Sequence, residues 1–360
     1  MTKAEIDSLR SEIERIDEQI VELVAQRQQI AAEIGLVKAR DGLEVRDRER
    51  EERVRAAFAR RAAETGLDPG LSEALAELLI QHSVKLQLQH SRNDLAGLRV
   101  LVVGGAGKTG AWFCRRFANR GAEVVVWDSR GTLDGYENVA GPGHAGECDI
   151  TVVASPPGVC PSDITRIIDE GPRGLIFDVC SVKTHIAGRL RSAASSGARI
   201  TSVHPMFGPS SATAMGRNVI ICSCGCPEAD DEAEGIFRAE GANVVRMGIE
   251  QHDEAMAFVL NLPHLCGLLF GAVLTQSGKE LGTLEAVQGP SFRKLAAISR
   301  ELSRESARVY HDIEALNPRT RGLIKAMSNA LDLLGEAATS PDPTEFRRIM
   351  ESNRRYFQAV

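Results

Sequence analysis

The sequence predicts a multi-domain chain of class α and α/β. We expect an all-helical segment over residues 1–92, an α/β domain over 98–247 and a second all-helical segment over 248–360. Apolar residues at helical spacing occupy the first forty positions, short apolar runs alternate with helix-like segments in the middle, and no strand pattern recurs towards the C-terminus. A chain of 360 residues is long enough for two or three domains with their own cores.

The composition excludes several classes of protein. The formal net charge of −6 argues against a general nucleic-acid binder, and the N-terminus MTKAEIDSLRSEIERID has no apolar segment typical of a secretory signal. The longest apolar stretch, residues 255–274, is interrupted by Asn261, Pro263 and His264, so we expect no membrane span. Eight cysteines without a signal peptide predict reduced thiols and a cytoplasmic protein.

Three of the cysteines, Cys222, Cys224 and Cys226, follow one another with the spacing C-x-C-x-C. Structural zinc sites commonly use two cysteines separated by two residues, with a second such pair elsewhere in the chain. Buried thiols pack as small apolar side chains, and we adopt that interpretation here. No metal site is therefore predicted.

The first predicted helix carries an apolar seam in strict three-four alternation. The seam consists of Ile6, Leu9, Ile13, Ile16, Ile20, Leu23, Ile30, Ile34 and Val37. One seam position holds Arg27 instead, and a buried arginine is costly unless an anion meets it. The pattern leaves two interpretations: a coiled coil that only dimerises the chain, or a helix that presents Arg27 to an anionic ligand.

Other polar residues share helix faces in the same region. Lys38 lies eleven residues after Arg27, which leaves the two about 20° apart around a helix. Two further polar faces have i, i+3 and i+4 spacing. They consist of Asp47, Arg50 and Glu51, and of Ser83 and Gln87. Three helices, roughly over 4–40, 45–64 and 71–90, would each present polar side chains to a common interior.

This constellation resembles the active site of the all-helical class of chorismate mutases, over the whole of residues 1–90. The matching positions are Arg10, Arg27, Lys38, Asp47, Arg50, Glu51, Ser83 and Gln87. The rearrangement of chorismate to prephenate needs no covalent intermediate and no proton transfer. Positioning and the stabilisation of developing negative charge are therefore enough for catalysis.

The resemblance also implies roles for these residues. Arg10 and Arg27 would clamp the two carboxylates of chorismate. Lys38 and Gln87 would donate hydrogen bonds to the ether oxygen. The carboxylates of the second helix would meet the ring hydroxyl, and these are Asp47 and Glu51.

The spacing of the two arginines predicts a homodimer. Arg10 and Arg27 lie about 100° apart on one straight helix, and a helix over residues 4–40 would be roughly 55 Å long. We therefore expect two such helices to pair antiparallel, so that Arg10 of one subunit completes the site around Arg27 of the other. The family resemblance implies the same exchange.

The α/β domain opens with the stretch RVLVVGGAGKTGAWF, which begins at residue 99. A P-loop would need glycine at residue 102, and that residue is valine. The glycines instead have the G-x-G-x-x-G spacing of a dinucleotide site between a strand over 100–103 and a helix over 111–119. The predicted cofactor-binding residues in this loop are Gly105, Gly107, Lys108, Thr109 and Gly110.

An acidic residue follows the next predicted strand, EVVVW. Asp128 lies eighteen residues beyond the last glycine, where a carboxylate binds the ribose hydroxyls and repels a 2′-phosphate. This predicts NAD as the cofactor, although Arg130 nearby weakens the preference over NADP. The runs DITVVAS, GLIFDV, ARITSV, GRNVIICSC and GANVVRM continue the alternation, which is typical of a Rossmann-like, doubly wound sheet.

Two polar residues lie where neighbouring strands end. His204 in SVHPMFGPS and Ser181 in FDVCSVK fall at the carboxyl ends of strands, which is where doubly wound sheets bind their ligands. A histidine beside a nicotinamide is a suitable general base for oxidising an alcohol. The motifs DVCSVK, SVHPMFGP, QHDEAMAF, LPH and PSFR, in this order, resemble the prephenate dehydrogenase family over essentially all of residues 98–330.

That resemblance implies an oxidative decarboxylation of prephenate to 4-hydroxyphenylpyruvate. His204 would take the proton of the 4-hydroxyl group, and Ser181 would hold His204 and the substrate in place. Arg293 would bind a substrate carboxylate, which suits a planar guanidinium, and His264 would lie close to the substrate side chain. The C-terminal helices would form a dimerisation domain. The chain would thus be a bifunctional enzyme of tyrosine biosynthesis.

Alternatives remain open at this point. Arogenate, or 4-amino-4-deoxy analogues of chorismate and prephenate, would suit the same architecture. The N-terminal helices could serve only to dimerise some other NAD-dependent dehydrogenase, and a regulatory NAD-sensing protein is the third alternative. His264 could equally be a core histidine, while His252 and Asp253 are interpreted as caps of the same helix.

Overall fold

The computed structural model describes residues 3–40, 43, 46–90, 94–211 and 213–358. The chain divides into two compact units. The first unit comprises residues 1–181 and 186–248, and the second comprises residues 182–185 and 249–360. The N-terminal helices and the sheet therefore belong to one unit, and the C-terminal helices belong to the other.

The first unit begins with three helices, α1 (Lys3–Arg40), α2 (Arg48–Thr65) and α3 (Pro69–His90). Both α1 and α2 pack on α3. The predicted start of α2, residue 45, lies outside the described residues. The helix begins at Arg48, because the side chain of Asp47 caps it. The Asp47 carboxylate accepts a hydrogen bond from the backbone N–H of Arg50. Gly66 ends the helix in a left-handed conformation, with φ of 71°.

A close crossing joins α1 to α3 at Gly35. A Cβ atom on Gly35 would lie 2.6 Å from the Cα of Gln87, so a side chain at this position does not fit without a shift of the backbone. Ala31 of α1 and Ala76 and Leu79 of α3 are also buried. The crossing therefore sets the face of α1 that meets α3.

An eight-stranded sheet follows the three helices. Its strands are β1 (Arg99–Val103), β2 (Glu123–Trp127), β3 (Glu137–Asn138), β4 (Ile150–Val153), β5 (Leu175–Asp178), β6 (Ile200–Pro205), β7 (Asn218–Ser223) and β8 (Asn243–Gly248). The spatial order is β3-β2-β1-β4-β5-β6-β7-β8. Neighbouring strands run parallel, except that β7 is antiparallel to β6. The predicted doubly wound sheet is confirmed, with the switch point between β1 and β4.

Four helices connect the strands of this sheet: α4 (Lys108–Ala118), α5 (Cys160–Asp169), α6 (Thr184–Ser195) and α7 (Pro227–Ala239). A short 3-10 turn, Pro142–Glu147, precedes β4. Aromatic rings form the centre of the core, since Phe113 lies within about 6 Å of the rings of Phe117, Phe177 and Phe237. The sequence placed the first helix at 111–119, and α4 in fact begins earlier, at Lys108.

The described part of the second unit after residue 248 is helical. Its helices are α8 (Ile249–Met256), α9 (Leu262–Gln276), α10 (Leu281–Ala286), α11 (Pro290–Ser303), α12 (Ala307–Leu316), α13 (Thr320–Thr339) and α14 (Thr344–Gln358). A π-helical turn, Ala257–Asn261, joins α8 to α9. Pro263 lies just beyond this π-helical turn. A proline inside a helix removes one backbone hydrogen bond and clashes with the residues one turn before it. The wider π-helical turn relieves this clash.

Helices α8 and α9 with their connecting turn, Ile249–Gln276, are long and apolar enough to cross a membrane by length and composition alone. This differs from the expectation drawn from the interruptions in the sequence. His252, Asp253 and Asn261 within this stretch are buried, and the carboxylate of Asp253 and the amide of Asn261 hydrogen-bond to other parts of the second unit. We interpret the stretch as a helix that packs in a helical domain.

The apolar seam of α1 faces solvent in the single chain. All nine seam residues are exposed, with fractions from 36% at Ile6 to 64% at Leu23. Apolar side chains of the second unit are exposed as well, among them Phe258, Leu268 and Leu331. Such extended apolar faces are typical of surfaces that are covered by another chain.

Candidate active sites

Arg27 is fixed between α1 and α3. Its guanidinium donates hydrogen bonds to the backbone carbonyl of Leu79, at 2.8 Å, and to the hydroxyl of Ser83. Partial burial lowers the pKa of Arg27, and the positive charge of Arg50 on α2 lowers it further. The structure thus brings Arg27, Ser83 and Arg50 of three helices near one another, and the two arginines make this cluster positively charged.

Lys38 and Gln87 lie near the close crossing of α1 and α3. Lys38 is half-buried and three residues beyond Gly35, on the same face of α1. Gln87 is 8% exposed, and its side-chain oxygen has no hydrogen-bond partner among the described residues. Both residue types can donate hydrogen bonds to a ligand oxygen, which is the role expected for them.

The second helix engages its polar residues in other contacts. Asp47 is the N-terminal cap of α2. The carboxylate of Glu51 is buried and accepts hydrogen bonds from two nitrogens of the Arg46 guanidinium. The third nitrogen of this guanidinium donates to the side chain of Asn243 on β8. Arg55 lies 3.6 Å from the same carboxylate. Glu51 is therefore held by two arginines that the sequence did not single out.

Arg10 lies apart from these residues. Its side chain is 71% exposed and pairs with Asp7 on the same helix. Because α1 is a continuous helix from Lys3 to Arg40, the seventeen residues between Arg10 and Arg27 span roughly 25 Å along its axis. The two arginines of one chain therefore cannot bind the same small molecule.

The glycine loop after β1 forms a tight cradle. A Cβ atom on Gly110 would lie 2.1 Å from the carbonyl oxygen of Gly104, and one on Gly105 would lie 2.6 Å from the side chain of Val126. Gly104 has φ of 76°, which favours glycine. These glycines bring the first turn of α4 against the strands, as a dinucleotide site requires.

The N-terminus of α4 points out of this cradle. Gly107 is the N-cap of the helix, and Lys108 and Thr109 belong to its first turn. The backbone N–H groups at the N-terminus of a helix attract phosphate. Asp128 follows β2, and its carboxylate accepts hydrogen bonds from the backbone N–H groups of Ala106 and Arg130. The carboxylate is thus held beside the glycine loop, and these residues fit a dinucleotide with an adenosine ribose.

Ser181 follows β5, and His204 lies near the end of the neighbouring parallel strand β6. Asp178 at the end of β5 pairs with Ser202 of β6, so both residues lie towards the carboxyl ends of these strands. His204 is 4% exposed, and Ser181 is half-buried. Asp178 accepts a hydrogen bond from the backbone N–H of Cys180, which shapes the turn that leads to Ser181.

Two predicted substrate-binding residues belong to the second unit. Arg293 is exposed in the first turn of α11. His264 lies in the first turn of α9, where its ring packs edge-on against Tyr310, with centroids 4.7 Å apart. Its Nδ1 atom lies 3.5 Å from the carboxylate of Glu314 on α12. Glu314 was not predicted, because a single glutamate in YHDIEAL carries no signal that separates it from a solvent-exposed one.

The expectation that Asp253 caps its own helix is wrong. Asp253 lies inside α8, and its carboxylate accepts hydrogen bonds from the backbone N–H groups of Lys183 and Thr184, the latter being the first residue of α6. His252 also contacts this carboxylate, at 2.7 Å. Burial would raise the pKa of Asp253, but these hydrogen bonds outweigh it and hold the pKa below its ordinary value. The capped helix is distant in sequence, so sequence spacing could not reveal it.

The cysteines are reduced thiols. Cys222 and Cys224 are buried in and after β7, as expected for small core residues. Burial raises the pKa of Cys114 to about 12. Cys160, Asp178 and Cys180 have potential ligand atoms within 4.8 Å of one another, and the carboxylate of this group already shapes the turn described above.

Comparisons with known proteins support the two families that the sequence resembles. The family model of chorismate mutase type II matches residues 9–88, and that of the prephenate dehydrogenase nucleotide-binding domain matches residues 133–223. A 4-amino-4-deoxyprephenate dehydrogenase of Streptomyces pristinaespiralis is 31% identical over 71% of this chain and 90% of its own length. A T-protein of Enterobacter agglomerans is 26% identical over 96% of this chain and 92% of its own length. The chain belongs to the bifunctional chorismate mutase–prephenate dehydrogenases.

Solved structures share the fold of the dehydrogenase part of this bifunctional family member. A prephenate dehydrogenase from Aquifex aeolicus, in complex with hydroxyphenyl propionate and NAD+, has a TM-score of 0.56 at 18% identity, covering 74% of this chain and all of its own. Synechocystis arogenate dehydrogenase has a TM-score of 0.55 at 16% identity, covering 73% of this chain and all of its own. The predicted fold class and the NAD cofactor are confirmed.

Proposed function

We propose that this chain catalyses two consecutive reactions of tyrosine biosynthesis, the rearrangement of chorismate to prephenate and the NAD-dependent oxidative decarboxylation of prephenate to 4-hydroxyphenylpyruvate. One observation carries the proposal. A positively charged cluster around Arg27 and a dinucleotide cradle followed by a buried histidine occur in one chain, each on the fold of the matching family.

In the mutase site, Arg27 binds one carboxylate of chorismate, held in place by Ser83 and the carbonyl of Leu79. Lys38 and Gln87 donate hydrogen bonds to the ether oxygen, where negative charge develops. Gln87 would donate from its amide nitrogen, and its buried position at the crossing of α1 and α3 supports this role. Asp47, Arg50 and Glu51 complete the site on the side of the ring hydroxyl.

The mutase site needs a second copy of the chain. Arg10 is too far along α1 to reach the site around Arg27 of its own chain. The exposed apolar seam of α1 offers the surface on which two such helices pair antiparallel. The enzyme is therefore a homodimer in which Arg10 of each subunit clamps the second carboxylate in the other subunit's site.

In the dehydrogenase site, the glycine loop after β1 and Asp128 would hold NAD, which would supply the hydride acceptor. His204 takes the proton of the 4-hydroxyl group, and Ser181 hydrogen-bonds to His204 and the substrate. Arg293 binds a carboxylate of prephenate, and His264 contacts its side chain. Because aromatisation drives the loss of CO2, the protein has to supply only positioning and one base.

The proposal includes the bounds of the domains and the cellular location of the enzyme. The mutase domain comprises residues 1–92, the NAD-binding domain 98–247 and the C-terminal helical domain 248–360. The eight cysteines are reduced thiols, which supports a cytoplasmic enzyme. Its ligands are small molecules rather than nucleic acid or membrane.

Two variants of the full-length chain test the two activities separately. Arg27→Ala should abolish the formation of prephenate from chorismate and leave the oxidation of added prephenate intact. His204→Asn should do the reverse. If either variant loses both activities while remaining folded, or neither, the assignment of the two sites is wrong.

A second candidate substrate is supported by one observation. The relative with 31% identity is a 4-amino-4-deoxyprephenate dehydrogenase. Comparing kcat/KM for prephenate, arogenate and 4-amino-4-deoxyprephenate with NAD separates the candidates. We expect prephenate to have the highest value, and a higher value for either analogue would change the proposed substrate.

A further inference from the structure

A carboxylate and an imidazole of the second unit face each other without completing a hydrogen bond. The Nδ1 atom of His264 lies 3.5 Å from Oε1 of Glu314, and their side chains are 14% and 15% exposed. Both atoms are buried and lack a hydrogen-bond partner among the described residues. A small rotation of either side chain would close the contact, since a hydrogen bond between these groups is about 2.7–2.9 Å long.

The carboxylate of Glu314 is held in place from its other oxygen. The amide nitrogen of Asn261 donates one hydrogen bond to Oε2 of Glu314, at 2.9 Å, and another to the hydroxyl of Thr320, also at 2.9 Å. Asn261 is completely buried. Both amide hydrogens are thus used, which fixes the carboxylate with Oε1 directed at the imidazole.

The π-helical turn explains how Asn261 and His264 come to share Glu314. The turn Ala257–Asn261 accommodates Pro263 and ends at Asn261. His264 follows three residues later, on the same face of the helix. Such turns inside α-helices occur frequently at functional sites.

We propose that Glu314 is a positioning residue that aims His264 at the 2-oxo acid side chain of the substrate, a role that rests on the proposed contact between His264 and that side chain. Glu314 accepts the hydrogen bond of Nδ1–H, so Nε2 is the nitrogen directed at the substrate. A proton on Nε2 then lets the ring donate a hydrogen bond to the keto oxygen of that side chain. The ammonium group of arogenate offers no acceptor there, so the pair selects a 2-oxo over a 2-amino side chain.

Steady-state kinetics of the full-length enzyme test this role. Glu314→Leu removes the acceptor and should raise KM for prephenate about tenfold or more, the size expected for a lost hydrogen bond to a charged group, with kcat nearly unchanged. Glu314→Gln keeps an acceptor and should restore most of the loss. KM for arogenate should change less, so the preference for prephenate falls. Glu301→Gln, at an exposed glutamate of α11, is the matched control and should leave both constants unchanged.

A double-mutant cycle separates positioning from a structural effect. In a His264→Asn background, Glu314→Leu should have little further effect on KM, because the group it positions is gone. A full additional loss in that background, or equal losses for prephenate and arogenate, overturns the proposal.

The 15N signals of the His264 ring provide a readout that does not depend on any substrate. They should show Nδ1 protonated in the wild type and a changed tautomer population in Glu314→Leu. Unchanged signals overturn the pairing of Glu314 with His264. If the signals change but His264→Asn leaves the prephenate kinetics intact, the assigned role of His264 in the proposed function has failed, and the positioning role fails with it.

Discussion

At the scale of single residues, we propose that the dehydrogenase reaction depends on one buried imidazole. His204 is 4% exposed at the carboxyl end of β6. We expect His204→Asn to lower kcat for prephenate by about 100-fold or more, because it removes the general base. NAD affinity and mutase activity should stay close to wild type. His144→Asn, at a histidine of the same unit whose side chain is 40% exposed, is the control. Near-normal turnover in His204→Asn would remove His204 from the mechanism.

Cofactor choice depends on a second residue, Asp128. Its carboxylate is held beside the glycine loop by the N–H groups of Ala106 and Arg130. A fixed negative charge there repels the 2′-phosphate of NADP. Asp128→Ser should therefore lower the preference for NAD, measured as kcat/KM with NAD divided by kcat/KM with NADP. Equal use of both cofactors by the wild type would mean that the charge of Arg130 dominates.

At the scale of secondary-structure elements, the mutase site depends on the crossing of α1 and α3. In Gly35→Ala, the added Cβ would meet the Cα of Gln87 at 2.6 Å, and the helices must move apart. We expect a loss of about 1–3 kcal/mol in stability, typical of overpacking, together with reduced mutase activity. Gly188→Ala in α6, where nothing lies within 4 Å of the added atom, is the control for thermal melting. Equal melting temperatures and equal mutase activities of the two variants would contradict the role of the crossing.

A second element, the start of α6, depends on Asp253. Hydrogen bonds lower the pKa of this carboxyl despite its burial, so near pH 4 the folded state binds fewer protons than the unfolded state. The carboxylate therefore stabilises the fold above its unfolded pKa of about 3.9, and this stabilisation disappears as the pH falls through the lower folded value. Asp253→Asn should lower the melting temperature at neutral pH, and the difference from wild type should shrink in acid.

The neighbouring substitution Glu254→Gln serves as the control for that measurement. Glu254 is 60% exposed and pairs with Arg319, so its loss should change melting little. A difference between wild type and Asp253→Asn that stays constant as the pH falls below about 3.9, the unfolded pKa, would mean that the effect does not come from ionisation of this carboxyl.

At the scale of the whole molecule, we propose that the mutase site requires two chains. Arg10→Ala and Arg27→Ala homodimers should each lose most mutase activity, because every site lacks one clamp. In a mixed dimer, one site receives both arginines and the other receives neither. Exchanging subunits between the two inactive variants should therefore restore up to about half of the wild-type activity per heterodimer. Verified heterodimers that remain inactive would show that both arginines come from one chain.

The fold and much of each site could be predicted from the sequence because their signals are local. Helical periodicity placed α1 and α3 within two residues of their observed bounds, and the spacing of glycines with Asp128 identified the dinucleotide cradle. Arg27 interrupts the apolar seam of α1, and the sequence therefore indicated it as a ligand-binding candidate, since burial of a charge without a partner is costly. Each of these inferences depends on residues close together in the chain.

Only the tertiary structure decided which distant residues meet. Arg46 holds Glu51 and reaches Asn243, Asp253 caps a helix seventy residues earlier in the chain, and Glu314 faces His264. A hydrogen bond between remote segments leaves no periodic pattern, because it depends on how helices cross and where backbones approach. The sequence by itself determined the chemistry of this enzyme and the elements that carry it, and packing determined the partners that hold each functional side chain in place.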